Sequence, residues 1–123
     1  QIVELGGPRV WNIKVHRLGG LSEVNRVYAI ARAYGAELWA GTMPESGIGS
    51  QAALAAAALP GFVYPSDLEP STRWFGRNAD VVKLLMSDEG RMEVPAVSIE
   101  SMLDTDRFGA TTRLILSLAV EAR

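Results

Sequence analysis

The sequence predicts an α/β fold built on parallel strands. Three short apolar runs are each closed by turn residues, and helix-spaced segments lie between them. The connections are only a few residues long. Alternation of strand, helix, strand, helix, strand indicates parallel strands joined by crossovers. At 123 residues, 48% hydrophobic and 21% charged, the chain has the size of one domain and can bury a sizeable core.

The first run, Arg9-Val10-Trp11-Asn12-Ile13-Lys14, reads as a buried strand. Gly19-Gly20 then predicts a tight turn before a helix. Leu21 to Tyr34 carries apolar residues at Leu21, Val24, Val27, Tyr28, Ala31 and, less regularly, Ile30, with Ser22, Glu23, Asn25, Arg26 and Arg32 on the polar side. Gly35 stops this helix. Glu37 to Thr42 is the second strand, and Met43-Pro44-Glu45-Ser46-Gly47 the loop after it. An alanine-rich helix follows from about Ile48 to Leu59, closed by Pro60-Gly61. Phe62-Val63-Tyr64 makes the third strand, ending at Pro65-Ser66-Asp67. Further on, Pro70 to Asn78 reads as a loop and Val81 to Met86 as an apolar strand or turn. Asp88-Glu89-Gly90 is a hairpin signal, and a helix is expected from about Thr111. Gln1 to Pro8 resembles the last turn of a helix with its stop signals, so the chain is expected to be part of a longer protein.

Composition removes several function classes. A net charge of -2 with scattered basic residues gives no footprint for nucleic acid. The absence of cysteine excludes disulfides and thiolate metal sites. No apolar stretch is long enough to cross a bilayer, and no signal peptide is visible. The expectation is a soluble, cytoplasmic protein with no membrane or nucleic-acid partner.

Chemistry in parallel sheets collects at the carboxyl ends of the strands. Those ends hold Lys14 to Arg17, Gly41 to Glu45, and Ser66 to Glu69. Only two of the twelve basic residues are lysines, Lys14 and Lys83. Arginine keeps its proton in almost any setting, whereas a desolvated lysine can exchange one. Spacing alone leaves Lys14 open between a solvated strand end and a site cation. Asp67 is open between substrate contact and a helix cap or salt bridge, and Gly41 between a site wall and a plain turn. Glu45 is read as capping the second helix or serving its positive end, and His16 as a surface or loop-anchoring residue. Arg17 could orient a loop carboxylate, and Trp74 and Phe75 are read as packing residues, with a lid contact also open.

These segments resemble a known family. Asn12-Ile13-Lys14 with Arg17-Leu18-Gly19-Gly20 is similar to the sixth-strand lysine motif of the enolase superfamily, in its muconate-cycloisomerase-like branch. Gly41-Thr42-Met43-Pro44-Glu45-Ser46-Gly47-Ile48-Gly49 resembles the seventh-strand motif. Leu59-Pro60-Gly61-Phe62, Pro65-Ser66-Asp67 and Ser71-Thr72-Arg73-Trp74-Phe75 resemble the eighth-strand region of o-succinylbenzoate synthases and N-succinylamino acid racemases. The resemblance covers roughly Gln1 to Val94. It implies the C-terminal portion of a (β/α) barrel, with residues 1–90 supplying its last three βα units. Residues 91–123 would form a tail contributing to, or packing near, the capping domain. A whole barrel needs about 250 residues, so the rest is expected in a missing N-terminal part or a partner chain.

The resemblance implies a reaction that removes a proton next to a carboxylate, on a small-molecule carboxylate substrate. Its magnesium is held by carboxylates of the third to fifth strands, and a Lys-x-Lys motif comes from the second. None of these segments lies here, so Mg2+ ligands are expected outside this chain. Resemblance makes Lys14 the catalytic sixth-strand lysine, with Gly41, Thr42, Met43 and Asp67 at the substrate. The implied activity is o-succinylbenzoate synthase, a dehydration in menaquinone synthesis, or N-acylamino acid racemase. A muconate-type cycloisomerase or dipeptide epimerase is the neighbouring alternative, because Asp67-Leu68-Glu69 nearly matches the epimerase pattern Asp-x-Asp. A different class stays open: a barrel segment that is non-catalytic without a partner chain. Raw sheet edges would then invite association, so a homo-oligomer is also open.

Overall fold

A computed structural model of the chain describes residues 3–75 and 81–109. Its elements are β1 (Val10–Ile13), α1 (Val15–Leu18), α2 (Leu21–Tyr34), β2 (Glu37–Ala40), α3 (Gly47–Ala57), α4 (Thr72–Phe75) and α5 (Ile99–Met102). β1 and β2 pair in parallel, with Val10 opposite Glu37 and Ile13 opposite Ala40. Strand periodicity then sorts the side chains onto two faces. Trp11, Ile13, Leu38 and Ala40 share one face, and Val10, Asn12, Glu37 and Trp39 the other.

The helices cover the first face. Val24 and Ala31 of α2 and Ala53 and Ala56 of α3 pack with Ile13, Val15, Ala36 and Leu38 into one core, backed by Trp11, Tyr28 and Phe62. Burying Leu38 and Val24 completely contributes about 1.5–3 kcal/mol each. Alanine at the contacts lets α3 lie close against β2. α2 spans the predicted residues because its apolar spacing and its glycine stop agree. Gly35 closes it at φ 73°, and the Gly35 and Ala36 amides bond back to Arg32 and Ala31.

The glycine pair makes the turn before α2 as expected, and the residues between it and Lys14 form the helical turn α1. Lys14 accepts from the Arg17 and Leu18 amides, and Gly19 and Gly20 take φ values of 98° and 113° to leave it. The third run is not a regular strand. It touches β2 at Leu38–Phe62 and again at Gly41–Asp67, with two more residues between the contacts than β2 has. Pro65 lacks an amide hydrogen, so the excess bows out there rather than pairing. Finally, Pro70 to Phe75 is not all loop: Ser71 accepts from the Trp74 and Phe75 amides to form α4.

The hairpin at Asp88-Glu89-Gly90 forms as expected. Met86 pairs antiparallel with Met92, and Gly90 turns at φ 76°. Ahead of it, Val81, Val82 and Leu84 are buried. The helix expected from Thr111 lies outside the described residues. Among the described residues, no helix is long and apolar enough to cross a membrane.

Candidate active site

The carboxyl ends of the three parallel segments meet at Gly41. Its amide donates to the Ile13 carbonyl at 3.0 Å, and the Asp67 amide donates to the Ala40 carbonyl at 2.9 Å. That pairing sets Lys14, Thr42 and Asp67 at one edge of the sheet. Lys14 leaves β1 in extended conformation, φ -117° and ψ 106°, as the residue before α1. It therefore continues the face of Val10 and Asn12. The half-buried lysine donates from Nζ to the Thr42 carbonyl at 2.5 Å. An ammonium has three donors, so two remain for another acceptor.

At Gly41 the structure has no room for a side chain. A Cβ there would stand 2.9 Å from Asn12 Nδ2 and 3.0 Å from its Cγ. The Asn12 amide thus lies over the glycine, on the same face as Lys14. Next to it, Thr42, Met43, Pro44, Asp67, Glu69 and Trp74 line a cavity of about 230 Å3. Asp67 is exposed, and Trp74 is 45% exposed. Glu69 is engaged by Arg73, Oε1 to Nη1 at 2.6 Å, four residues on. Four of the five sequence-derived site residues therefore adjoin the Lys14 end of the sheet: Gly41, Thr42, Met43 and Asp67.

Trp74 and Phe75 both lie on α4; Trp74 lines the cavity together with Asp67, and Phe75 is 47% exposed. Glu45 does not cap α3, whose N-cap is Ser46, but its carboxylate lies over the first turn of that helix, beside Gly49. Its Oε1 meets His16 Nδ1 at 2.9 Å and the Met43 amide at 3.4 Å. His16 is therefore a loop-anchoring residue, one of the two roles expected for it. The position of Asn12 over Gly41 was missed. The signal lay in its spacing, two residues before Lys14 on one strand face.

The described residues do not fit a metal ion. Among the described residues, no group of three or more His, Cys, Asp or Glu side chains could hold one. Asp67 and Glu69 are the two carboxylates lining the cavity, and Arg73 holds Oε1 of Glu69 while its Oε2 is buried without a partner.

The family described as enolase C-terminal domain-like matches residues 1–98. The chain is 42% identical over 93 residues to an N-succinylamino acid racemase of Thermus thermophilus, covering 76% of this chain and 25% of the relative. It is 32% identical over 108 residues to the o-succinylbenzoate synthase of Bacillus subtilis, covering 85% and 29%. A solved structure described as a probable mandelate racemase from Alicyclobacillus acidocaldarius superposes with TM-score 0.76 at 36% identity, covering 86% of this chain and 28% of that one. An enolase superfamily member from Listeria innocua superposes at 0.71 with 30% identity, covering 84% and 28%. The chain thus spans about a quarter of the length of the relatives it matches. By the family match and these identities, the chain belongs to the enolase C-terminal domain-like family.

Proposed function

We propose that this chain supplies the proton-handling lysine and part of the substrate wall of an active site that removes a proton next to a carboxylate. The activity is o-succinylbenzoate synthase or N-acylamino acid racemase. The observation that carries this reading is Lys14 Nζ, fixed on the Thr42 carbonyl at the carboxyl edge of the sheet, beside the cavity of Asp67 and Trp74. The carbonyl orients the amine and leaves its remaining valences for the substrate. In the racemase reading, the neutral amine takes the proton: the substrate C–H bond breaks, its electron pair moves into the enediolate, and an N–H bond forms at Lys14. In the synthase reading, the ammonium of Lys14 faces the developing negative charge instead.

Residues from outside this chain complete the site. Val10 is 43% exposed and Asn12 also exposed on the sheet face opposite the helices, which supports the reading that further strands cover it. Exposed Val94, Val97 and Phe108 support a tail that packs near a capping domain. The magnesium that the family resemblance implies would be held by those outside segments. The isolated chain is accordingly expected to be inactive. A dipeptide epimerase is the second reading, favoured by Asp67 and Glu69 lining one cavity.

A substrate panel tests these readings. The chain is fused behind the preceding three quarters of the Thermus thermophilus racemase and assayed with the synthase substrate, N-acylamino acids and dipeptides. Turnover of the first two classes supports the proposal. Turnover of dipeptides alone favours the epimerase, and substantial turnover by the unfused chain overturns the need for completion.

A further inference from the structure

We infer that His16 and Glu45 are positioning residues that aim the Thr42 carbonyl at Lys14. The inference rests on the reading of Lys14 as the proton-handling group. The Thr42 carbonyl and the Met43 amide belong to one peptide unit. A trans peptide is planar and points its oxygen and hydrogen in opposite directions. Lys14 Nζ holds the oxygen end at 2.5 Å, and Glu45 Oε1 accepts from the hydrogen end at 3.4 Å. Fixing either end fixes where the other points.

Glu45 is itself fixed. Its side chain is only 9% exposed, and a carboxylate that far from water needs donors. His16 Nδ1 supplies one at 2.9 Å. Its other oxygen lies over the first turn of α3, where a Cβ at Gly49 would stand 2.6 Å from Oε2. Glycine at 49 leaves the space this carboxylate fills. His16 sits on α1, the turn that begins when the Lys14 carbonyl accepts from Arg17 and Leu18. The groups therefore close a ring: Lys14 to the Thr42–Met43 peptide, to Glu45, to His16, and back along α1 to Lys14. Neighbouring hydrogen bonds in such a chain also polarise one another. Without Glu45 the peptide is free to rotate, and Lys14 loses its fixed acceptor.

Nitrogen NMR on the full 123-residue chain tests this, because lysine labelling gives two side-chain signals, Lys14 and Lys83. Lys83 is exposed and serves as the internal reference. Glu45→Ala and His16→Ala are expected to shift the Lys14 signal and to speed its amine hydrogen exchange about fivefold, the loss of one ordinary hydrogen bond. Glu45→Gln keeps an acceptor and His16→Asn keeps a donor near the Nδ1 position, so both should retain the parent signal. Lys83 should not move in any variant. A merely structural role would lower thermal stability and leave Lys14 unchanged in the folded chain; that result overturns the inference. So does a Glu45→Gln variant that behaves as Glu45→Ala does. If Glu45→Ala does not fold, the half-exposed His16→Ala carries the same expectation. A shifted Lys14 signal alongside a negative substrate panel overturns the proposed reaction and leaves this link standing. An unmoved signal alongside a positive panel overturns the link alone.

Discussion

Replacing Gly41 by alanine puts two effects of similar size against each other. Alanine in a strand is favoured over glycine by about 0.5–1 kcal/mol through backbone entropy. Its methyl group, however, would stand 2.9 Å from Asn12 Nδ2 and 3.0 Å from Cγ, well inside the roughly 3.5–4.0 Å of good contact. Gly41 cannot retreat, because its amide is bonded to Ile13 and its backbone pairs with Asp67. Asn12 is exposed and short, so its amide swings away instead. That displacement costs about 1 kcal/mol, the low end for overpacking. The single variant should therefore lie near the parent in stability, and alone it decides nothing. With Asn12→Ala already in place the obstacle is gone, and Gly41→Ala should stabilise by about 0.5–1 kcal/mol. That corresponds to a rise of a few degrees in Tm for a chain of this size. A four-member cycle followed by thermal denaturation reads the coupling, expected at about 1 kcal/mol. Additivity within about 0.3 kcal/mol would refute the placement of the Asn12 amide over Gly41.

Two further outcomes follow from the same geometry. Gly47→Ala drives a methyl group into the Val82 backbone, 2.6 Å from its carbonyl carbon. Backbone cannot swing aside, so urea unfolding should reveal a loss of about 2–3 kcal/mol, despite a helix-propensity gain of up to about 1 kcal/mol; an unchanged midpoint contradicts the packing of α3 on residues 81–84. Tyr64 donates its hydroxyl to Glu37 Oε2 at 2.5 Å. That hydrogen bond, with some desolvation and the carboxylate's charge, holds the phenol above its ordinary value of 10.0. A raised tyrosine favours its protonated form in the folded chain. Its contribution to stability is therefore complete below the unfolded value and lost as pH rises through the folded one. Glu37→Gln should bring one of three tyrosine transitions down in an ultraviolet difference titration; three unchanged transitions would speak against the pair.

What the sequence made legible follows from the range of each interaction. α2 could be read because a 14-residue apolar period ends at a glycine, and both signals are local. Lys14, Gly41, Thr42, Met43 and Asp67 could be gathered because parallel alternation brings strand ends together without any register being known. α1 was hidden because four residues, Val15 to Leu18, are too few to display a period. The bowed third segment was hidden because its two-residue excess exists only relative to β2. Asn12 over Gly41 and His16 with Glu45 are contacts across 29 residues each. Such contacts depend on the register Ile13–Ala40 and on the turn of α1, neither of which composition encodes. Trp74 reached the cavity through α4, a turn that no apolar period announced.

The central claim is that Lys14 handles the substrate proton. The most direct test is exchange of the hydrogen next to the substrate carboxylate in deuterated water, using the chain fused behind the preceding part of the Thermus thermophilus racemase. With Lys14 present, N-acylamino acid should acquire deuterium at that carbon. Lys14→Ala should slow the exchange on one face of the substrate by about 10²–10⁴-fold, the usual contribution of a positioned acid or base, while the chain stays folded. Exchange at the parent rate on both faces of the Lys14→Ala protein would contradict the account.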